Sequence, residues 1–566
     1  MGNNIGLDFG TTYSVISKLK NIEREKSGAI RNYELEACLP SEAAHSPCQD
    51  SIVLKAQDGS LIFGPLAREK TGRKGTTIYK GFKMMLAETD NSVLKSRGYD
   101  DEYTPQKIVQ AYLNDILLRY VSGSNAEINE IDKVVVGVPE IWFSDVSTID
   151  CRTALEDIVS TFPFVKKVEL VSEPAAACAF FVENYKKNTR RKYRGKILLV
   201  DYGGGTLDIA LCDVQENGQS SEVSVIKRCG AGLNEEGYIG KAGMAFIEAI
   251  VKIALEPAGL TNEEIIGNRY FYRCVNSVET ALMNQMRDIK DTFDFAELAD
   301  RDSMLDLFYT IEFDGEEYDV TYGMLSKAYR RIIEPVLEEK LTEMIEYMKD
   351  NNIVYSSNTD DSFKIAPVGG FCNFYLTQEQ IERKFARCAG DKRFSDIIND
   401  RRDCEKAISY GAALIAEEVI GFKQLSPYYL GIASGSENEL KDIYYAINKG
   451  DDIVYDEPVF IKYEDGSDAL FGGAHIPLFV LNLDDKCGKE FAQWGEPLEE
   501  YKSKLALEKD MWCKIGFSLD RSMIITLHKQ IINPNNPSEV VSQSSVRLND
   551  IYSILGNLIR VRGILK

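Results

Sequence analysis

Two short runs of Asp, Gly and Thr are the residues best suited to chemistry. In Asp8-Phe9-Gly10-Thr11-Thr12, and again in Asp201-Tyr202-Gly203-Gly204-Gly205-Thr206, an aspartate stands just ahead of a glycine turn that carries hydroxyls. Such turns suit the tail of a nucleotide, because backbone N–H groups close around β- and γ-phosphates while the carboxylate holds water on Mg2+. One glycine turn is commonly plain turn geometry. Two with aspartates at matching positions, about 190 residues apart, point to a phosphate site assembled from two halves of the chain. Phosphoryl transfer asks for positioning and charge neutralisation rather than a covalent nucleophile, so the lack of an obvious Ser-His-Asp or Cys-His set is no obstacle. The three histidines, His45, His475 and His528, are too far apart for local zinc spacing.

Each run sits in a strand, turn, strand pattern. Ile5, Leu7 and Phe9 lead into the first turn and Ser14 to Leu19 lead out of it; Ile197 to Asp201 and Leu207 to Leu211 do the same for the second. The recurrence argues for a duplicated architecture. Between the hairpins lie a helical pattern at Pro105 to Tyr120, a buried strand Lys133 to Val138 ending at Pro139, and a helical stretch near Ser147 to Phe162, the alternation of an α/β fold. Helical spacing follows at 234–255, 269–293 and 323–350, with β-like residues at 307–320, then a strand at Phe363 to Val368, a glycine pair, and helices at about 377–389 and 404–419. Beyond about Gly421 short alternating runs separated by Gly, Asp and Asn predict a small antiparallel β domain, with its clearest hairpin at Ser518 to Ile525. One last apolar stretch, Ile551 to Leu558, fits helix or strand.

The chain has 566 residues, 44% of them hydrophobic, which is more than a single core accommodates, so two or more domains are expected. Lys and Arg number 66 against 88 Asp and Glu, and a net charge of −22 repels phosphate backbones and anionic lipid alike, so neither nucleic acid nor membrane fits as a partner. Twelve cysteines stand singly with no C-x-x-C pair, the pattern of reduced thiols. No signal-like N-terminus and no run of about 18 apolar residues occurs, which predicts a cytoplasmic protein.

In these segments the chain resembles the ATPases of the actin and hexokinase superfamily, and within it the 70-kDa heat-shock chaperones typified by DnaK. Ile5 to Ser14 is similar to the first phosphate loop and Val200 to Ile209 to the second; Val134 to Pro139 with Trp142-Phe143 is similar to the strand before the connecting helix; Ser172-Glu173-Pro174-Ala175-Ala176-Ala177 is similar to the Glu-Pro-small-Ala-Ala segment; Val368-Gly369-Gly370 and Ala407 to Ala413 are similar to the adenosine motif and closing helix. The resemblance implies a two-lobed actin-like ATPase domain of duplicated ribonuclease H-like halves over 1–420, with lobe I at about 1–185 and 400–420 and lobe II at about 195–385, followed by a β-rich substrate-binding-like domain over 421–566 without a helical lid. It also implies that Asp8 and Asp201 hold Mg2+ through water, and that Gly10, Thr11, Thr12, Tyr13, Gly203, Gly204, Gly205 and Thr206 cradle the phosphates of ATP or ADP, with K+ left open as a further ion. Lys83 would reach the γ-phosphate and attacking water, with Lys80 as the alternative lysine; Glu173 would orient that water, or serve only as a helix cap. Gly369, Gly370 and Glu405 would complete the nucleotide site.

The chain departs from the family at the adenine. After the glycine pair it reads Phe371-Cys372-Asn373-Phe374, so Asn373 stands where the family keeps a stacking arginine, and Phe371 is left to support the base. A second adenine-facing stretch, normally Glu, Lys, Arg and Ser on a helix, has its nearest counterpart in Arg287, Lys290, Asp291 and Asp294, of which only Lys290 agrees. Glu417 to Phe422 replaces the apolar linker, and Leu425 to Ile432 weakly resembles the opening of the peptide-binding sandwich. The expected function is a slow, Mg-dependent ATPase coupling nucleotide state to extended or unfolded polypeptide, with a co-chaperone or exchange factor as partner. The alternatives are a small-molecule kinase of the same superfamily and an ATP-dependent scaffold or filament protein.

Overall fold

The computed structural model describes residues 3–26, 30–40, 46–88, 90–123, 129–144, 149–217, 220–232, 241–288, 305–354, 362–389, 405–436, 439–463, 469–471, 478–484, 486–490, 492–495, 503–504, 507 and 511–548. Two compact units are present, one of Met1–Ile141 with Ile158–Phe422, the other of Trp142–Asp157 with Lys423–Lys566. The stretch Trp142–Asp157 thus belongs with the C-terminal residues, a discontinuity that a single cut near residue 420 does not contain. Arg287 lies in a helix whose side chains are not described there, and Lys290, Asp291, Asp294 and 551–558 lie outside the described residues.

The first unit repeats one motif in two sheets. Strands β1 (Asn4–Phe9), β2 (Tyr13–Arg24), β3 (Ile30–Ala37), β4 (Lys133–Val138) and β5 (Val168–Ser172) lie in the order β3-β2-β1-β4-β5. Strands β6 (Gly195–Tyr202), β7 (Leu207–Asn217), β8 (Ser220–Ala231) and β9 (Phe363–Val368) lie in the order β9-β6-β7-β8. In each sheet a glycine turn closes an antiparallel hairpin, and a later strand adds parallel to the first: Asp8 pairs across from Val15 and Gly137, Asp201 from Asp208 and Val368. Both aspartates therefore stand one residue before the end of their strand.

Successive residues of β6 feed different cores. Leu198, Val200 and Tyr202 enter the cluster built with the helices that follow the sheet, whereas Ile197 and Leu199 enter the cluster that includes Ala175 to Val182 and Ala412 to Ala416. A strand covered on both faces reads as a continuous apolar run, and so it does here. Helix α1 (Glu173–Thr189) and helix α4 (Ala407–Ala416) cross at Gly411, where a Cβ would stand 1.6 Å from the Ala176 carbonyl oxygen; a Cβ on Gly6 of β1 would stand 2.3 Å from the backbone of α4. Between them come α2 (Gly243–Ala254) and α3 (Phe271–Asp288). The stretch 323–350, of one helical period in the sequence, is two helices, Tyr322–Ile332 and Glu334–Asp350, because Pro335 opens a new first turn.

The second unit contains antiparallel sheets, one ordered Glu439–Ile447, Tyr429–Ser436, Leu478–Asn482, Gln493–Gly495, the other built on Trp512–Leu519, Ile525–Asn533 and Asn536–Arg547. The hairpin around 518–525 pairs Leu519 with Ile525. Its turn is tied by Asp520 Oδ1, which accepts from the N–H groups of Ser522 and Ile524 at 2.9 Å each. Arg152, 1% exposed, seats on that turn: its Nη1 donates to the carbonyls of Ser522 (2.9 Å) and Met523 (3.1 Å), its Nη2 meets the Tyr428 hydroxyl, and its guanidinium lies 4.4 Å from the Phe143 ring centre. The strand Asn536–Arg547 extends the sheet beyond the hairpin that the sequence shows most clearly; its polar Ser and Gln residues carry no apolar alternation.

Candidate functional site

The two glycine turns face each other within the first unit. A Cβ on Gly204 would stand 2.2 Å from Thr12 Oγ1, and one on Gly205 would stand 2.3 Å from Thr11 Oγ1, so only glycine lets the hairpins approach this closely. The second turn is pinned from behind: Gly203 N–H donates to the Thr206 carbonyl at 3.0 Å, and the first N–H groups of α2, of Gly243 and Met244, donate to the carbonyls of Gly203 (3.2 Å) and Gly204 (2.7 Å). Gly369 has φ +79°, and a Cβ there would lie 2.4 Å from Asp201 Oδ1, so this position is closed to other residues on two counts.

Together these elements line a cavity with about 970 Å3 of empty space, the open solvent at its mouth included. Asp8, Gly10, Thr11, Thr12, Tyr13, Lys83, Glu173, Asp201, Gly203 to Thr206, Gly369, Gly370, Phe371 and Glu405 all line it; Asn373, half-buried at the end of the short helical turn Gly370–Asn373, does not. Lys83, 2% exposed, forms a buried ion pair with Glu173. Lys80 points elsewhere, donating to Glu279 Oε2 at 2.9 Å and Asn276 Oδ1 at 3.0 Å. The cap of α1 is the Ser172 hydroxyl, which accepts from Ala175 N–H at 3.3 Å, and Glu173 is thereby left for Lys83.

Three aspartates crowd this end of the cavity. Burial pushes the Asp8 carboxyl up to about 8, with Glu173 adding to the shift and Lys83 opposing it. Burial also raises Asp201, reinforced by Glu173, Asp208 and Asp8, and pushes Asp208 up to about 8. Asp208 Oδ1 accepts from Ile141 N–H at 3.2 Å. Asp201 Oδ2 is buried and meets no hydrogen-bond partner among the described residues. A carboxylate cluster short of positive charge, with an orphaned oxygen, fits a divalent cation, which reverses the local electrostatics. Among the described residues no three His, Cys, Asp or Glu converge to chelate a metal directly, as is compatible with an ion held through its water shell.

Among the described residues, the side chains that α3 contributes to the cavity are Glu279, Leu282 and Met283; the Arg287 to Asp294 stretch favoured from sequence lies outside the described side chains. Glu279 supplies a matching carboxylate, and the residues three and four positions on are apolar rather than basic. Phe371 lines the cavity, with its ring stacked on Phe374, centroids 5.2 Å apart, and edge-on to Phe246 and Tyr202. Ile247, Leu282 and Met283 carry no sequence signal beyond helical spacing, since an apolar residue on a helix is ordinarily core.

The α/β frame and the paired phosphate turns fit the class of actin-like ATPases. Residues 4–224 match the family model described as Hsp70 protein. The chain is 25% identical over 224 residues to the chaperone protein DnaK of Mycoplasmoides gallisepticum, covering 38% of this chain and 32% of that protein. It is 26% identical over 316 residues to the mitochondrial iron-sulfur cluster biogenesis chaperone of Saccharomyces cerevisiae, covering 51% and 44%, and 28% identical over 217 residues to DnaK of Nitrosopumilus maritimus, covering 38% and 29%. The chain thus spans less than half the length of these curated relatives, and its similarity to the Hsp70 family is confined to the matched part. No helix among the described residues is long and apolar enough to cross a membrane.

Proposed function

We propose that the chain binds ATP with Mg2+ in this cavity, hydrolyses it slowly, and uses the change of nucleotide to alter how the β-rich second unit holds extended polypeptide. The observation that carries the reading is the opposition of two Gly-Thr turns across one cavity, with an aspartate behind each and the Lys83–Glu173 pair beside them. The turns cradle the β- and γ-phosphates from both sides, and Lys83 neutralises charge developing on the γ-phosphoryl group. Glu173 accepts a hydrogen bond from the attacking water and aligns it. Mg2+, held through water by Asp8 and Asp201, supplies further charge neutralisation when bound. The C-terminal unit, with exposed strand Asn536–Arg547 in an antiparallel sheet, suits pairing with an extended chain.

Phosphate release from Mg-ATP without any added acceptor tests the reading. Turnover is expected from the intact chain and is expected to fall by about 100-fold or more in Lys83→Ala, the scale of removing a transition-state charge contact. Release that requires a small-molecule hydroxyl acceptor would make the chain a kinase instead. Coupling is read by tryptic digestion of the C-terminal residues in ATP and in ADP; identical patterns would sink it.

A further inference from the structure

We infer that Ser51 is the positioning residue of the first glycine turn: it pins two carbonyls of that turn so that the neighbouring N–H groups face the phosphates. The inference rests on the nucleotide reading above and concerns a residue that stands behind the turn. Ser51, 1% exposed, follows Gln49 and Asp50, which pair antiparallel with Ser14 and Tyr13 just past the turn. Its N–H donates to the Thr12 carbonyl at 2.9 Å and its hydroxyl to the Gly10 carbonyl at 2.7 Å. A trans peptide points its C=O and N–H to opposite sides, so fixing the Gly10 and Thr12 carbonyls on Ser51 turns the Thr11 and Tyr13 N–H groups the other way. Gly10, Thr11, Thr12 and Tyr13 line the cavity and Ser51 does not, so the N–H groups directed away from Ser51 face the cavity.

Proton count fixes the direction of the bonds around Ser51. A carbonyl only accepts, so the one hydroxyl proton of Ser51 is committed to Gly10, and in the 3.1 Å contact between the Ser14 and Ser51 hydroxyls Ser14 is the donor. Tyr112 Oη lies 3.4 Å from Ser51 Oγ in the same buried group, and burial pushes the Tyr112 hydroxyl up to about 12, so it keeps its proton at neutral pH. Ser51 is thus held from behind while it holds the turn. Its backbone is fixed as well, because the chain continues as the strand Ile52–Lys55, paired with Thr77–Lys80, the strand that leads to Lys83. One small sheet therefore carries both the clamp on the first turn and the lysine assigned to the γ-phosphoryl group, and the clamp fixes the spacing between them. Alanine at position 51 keeps the backbone bond to Thr12 and releases only the Gly10 carbonyl, which frees the Thr11 peptide to rotate out of alignment.

Mg-ATP turnover, with equilibrium binding of Mg-ATP and of adenosine, tests this in the full chain and its Ser51 variants. Ser51→Ala is expected to lower kcat about ten- to thirtyfold, less than outright loss of one transition-state donor, and to weaken Mg-ATP binding about three- to tenfold. Adenosine, which has no phosphate, is expected to bind within about twofold of the parent, and Ser51→Thr, which keeps the hydroxyl, to restore turnover and Mg-ATP affinity to within about threefold. Ser51→Cys, with a weaker donor, falls between the two and decides the matter if the alanine variant does not fold. Turnover and Mg-ATP affinity of Ser51→Ala within about twofold of the parent, or equal losses for Mg-ATP and adenosine, overturn the inference and leave the nucleotide site standing. If the parent binds Mg-ATP without releasing phosphate, the hydrolysis reading fails and the affinity comparison alone decides the inference; if the parent binds no nucleotide, both fall.

Discussion

Lys80 and Lys83 are three positions apart and equally hidden, yet their surroundings assign them different work. Lys83 faces Glu173 inside the cavity; Lys80 shares Glu279 with Arg68, whose guanidinium also reaches Asp50 at 2.6 Å. Removing a buried cation from such a network strands its partner, at a cost of about 3–5 kcal/mol when nothing compensates and less here because Arg68 remains. Lys80→Met is accordingly expected to lower stability by about 1–3 kcal/mol in denaturant titration, whereas Lys83→Met is expected to abolish turnover with a smaller effect on the midpoint. The sequence leaves the two lysines open, because their distinction lies in partners 199 and 90 residues away. The two opposed glycine turns are legible for the opposite reason: glycine beside threonine and aspartate is dictated by local backbone geometry. The apolar lining is illegible because Leu282 and Met283 look like any apolar helix face.

Elements are held in register by positions where nothing larger than hydrogen fits. With a Cβ on Gly411 only 1.6 Å from the Ala176 carbonyl oxygen, Gly411→Ala must part α4 from α1 and tilt the helix that begins with Glu173. A loss of about 3 kcal/mol or more is expected, seen as a fall in Tm. Charge placement supplies a second test. In the helix Ile149–Ser160, burial pushes the Glu156 carboxyl up to about 7, with Asp520 adding and Arg547 opposing. The folded form therefore binds the proton more tightly than the unfolded one. Stability from Glu156 is fully present below its ordinary value near 4.5 and is lost as pH rises through about 7. Glu156→Gln is expected to be stabilising by about 1–2 kcal/mol at pH 8 and close to neutral at pH 4.5, read by urea unfolding at the two values. Periodicity alone shows this helix, but not that Glu156 faces Asp520 and Arg547, hundreds of residues onward.

The chain divides into its two units at three places, and the sequence shows a break at only one of them. Composition shifts near residue 421, and that shift is visible; the inclusion of Trp142–Asp157 in the second unit is not, because its anchor, Arg152, bonds residues 370 and 371 positions later. Arg152→Met leaves the Ser522 and Met523 carbonyls without these donors while keeping the apolar contact with Phe143. It is expected to destabilise the second unit by about 2–4 kcal/mol, measured in the full chain as faster proteolysis within residues 423–548. Preserved protease resistance would show that Arg152 is dispensable there. The discontinuity also sets a timetable for biosynthesis. About 265 residues separate Asp157 from Lys423, so at about 5–20 residues per second the ribosome takes roughly 13–50 s to reach the remainder of a unit whose first piece has already been made. Translation speed across the intervening stretch, and whatever shelters Trp142, Phe143 and Arg152 meanwhile, therefore govern how much of this chain reaches its finished form.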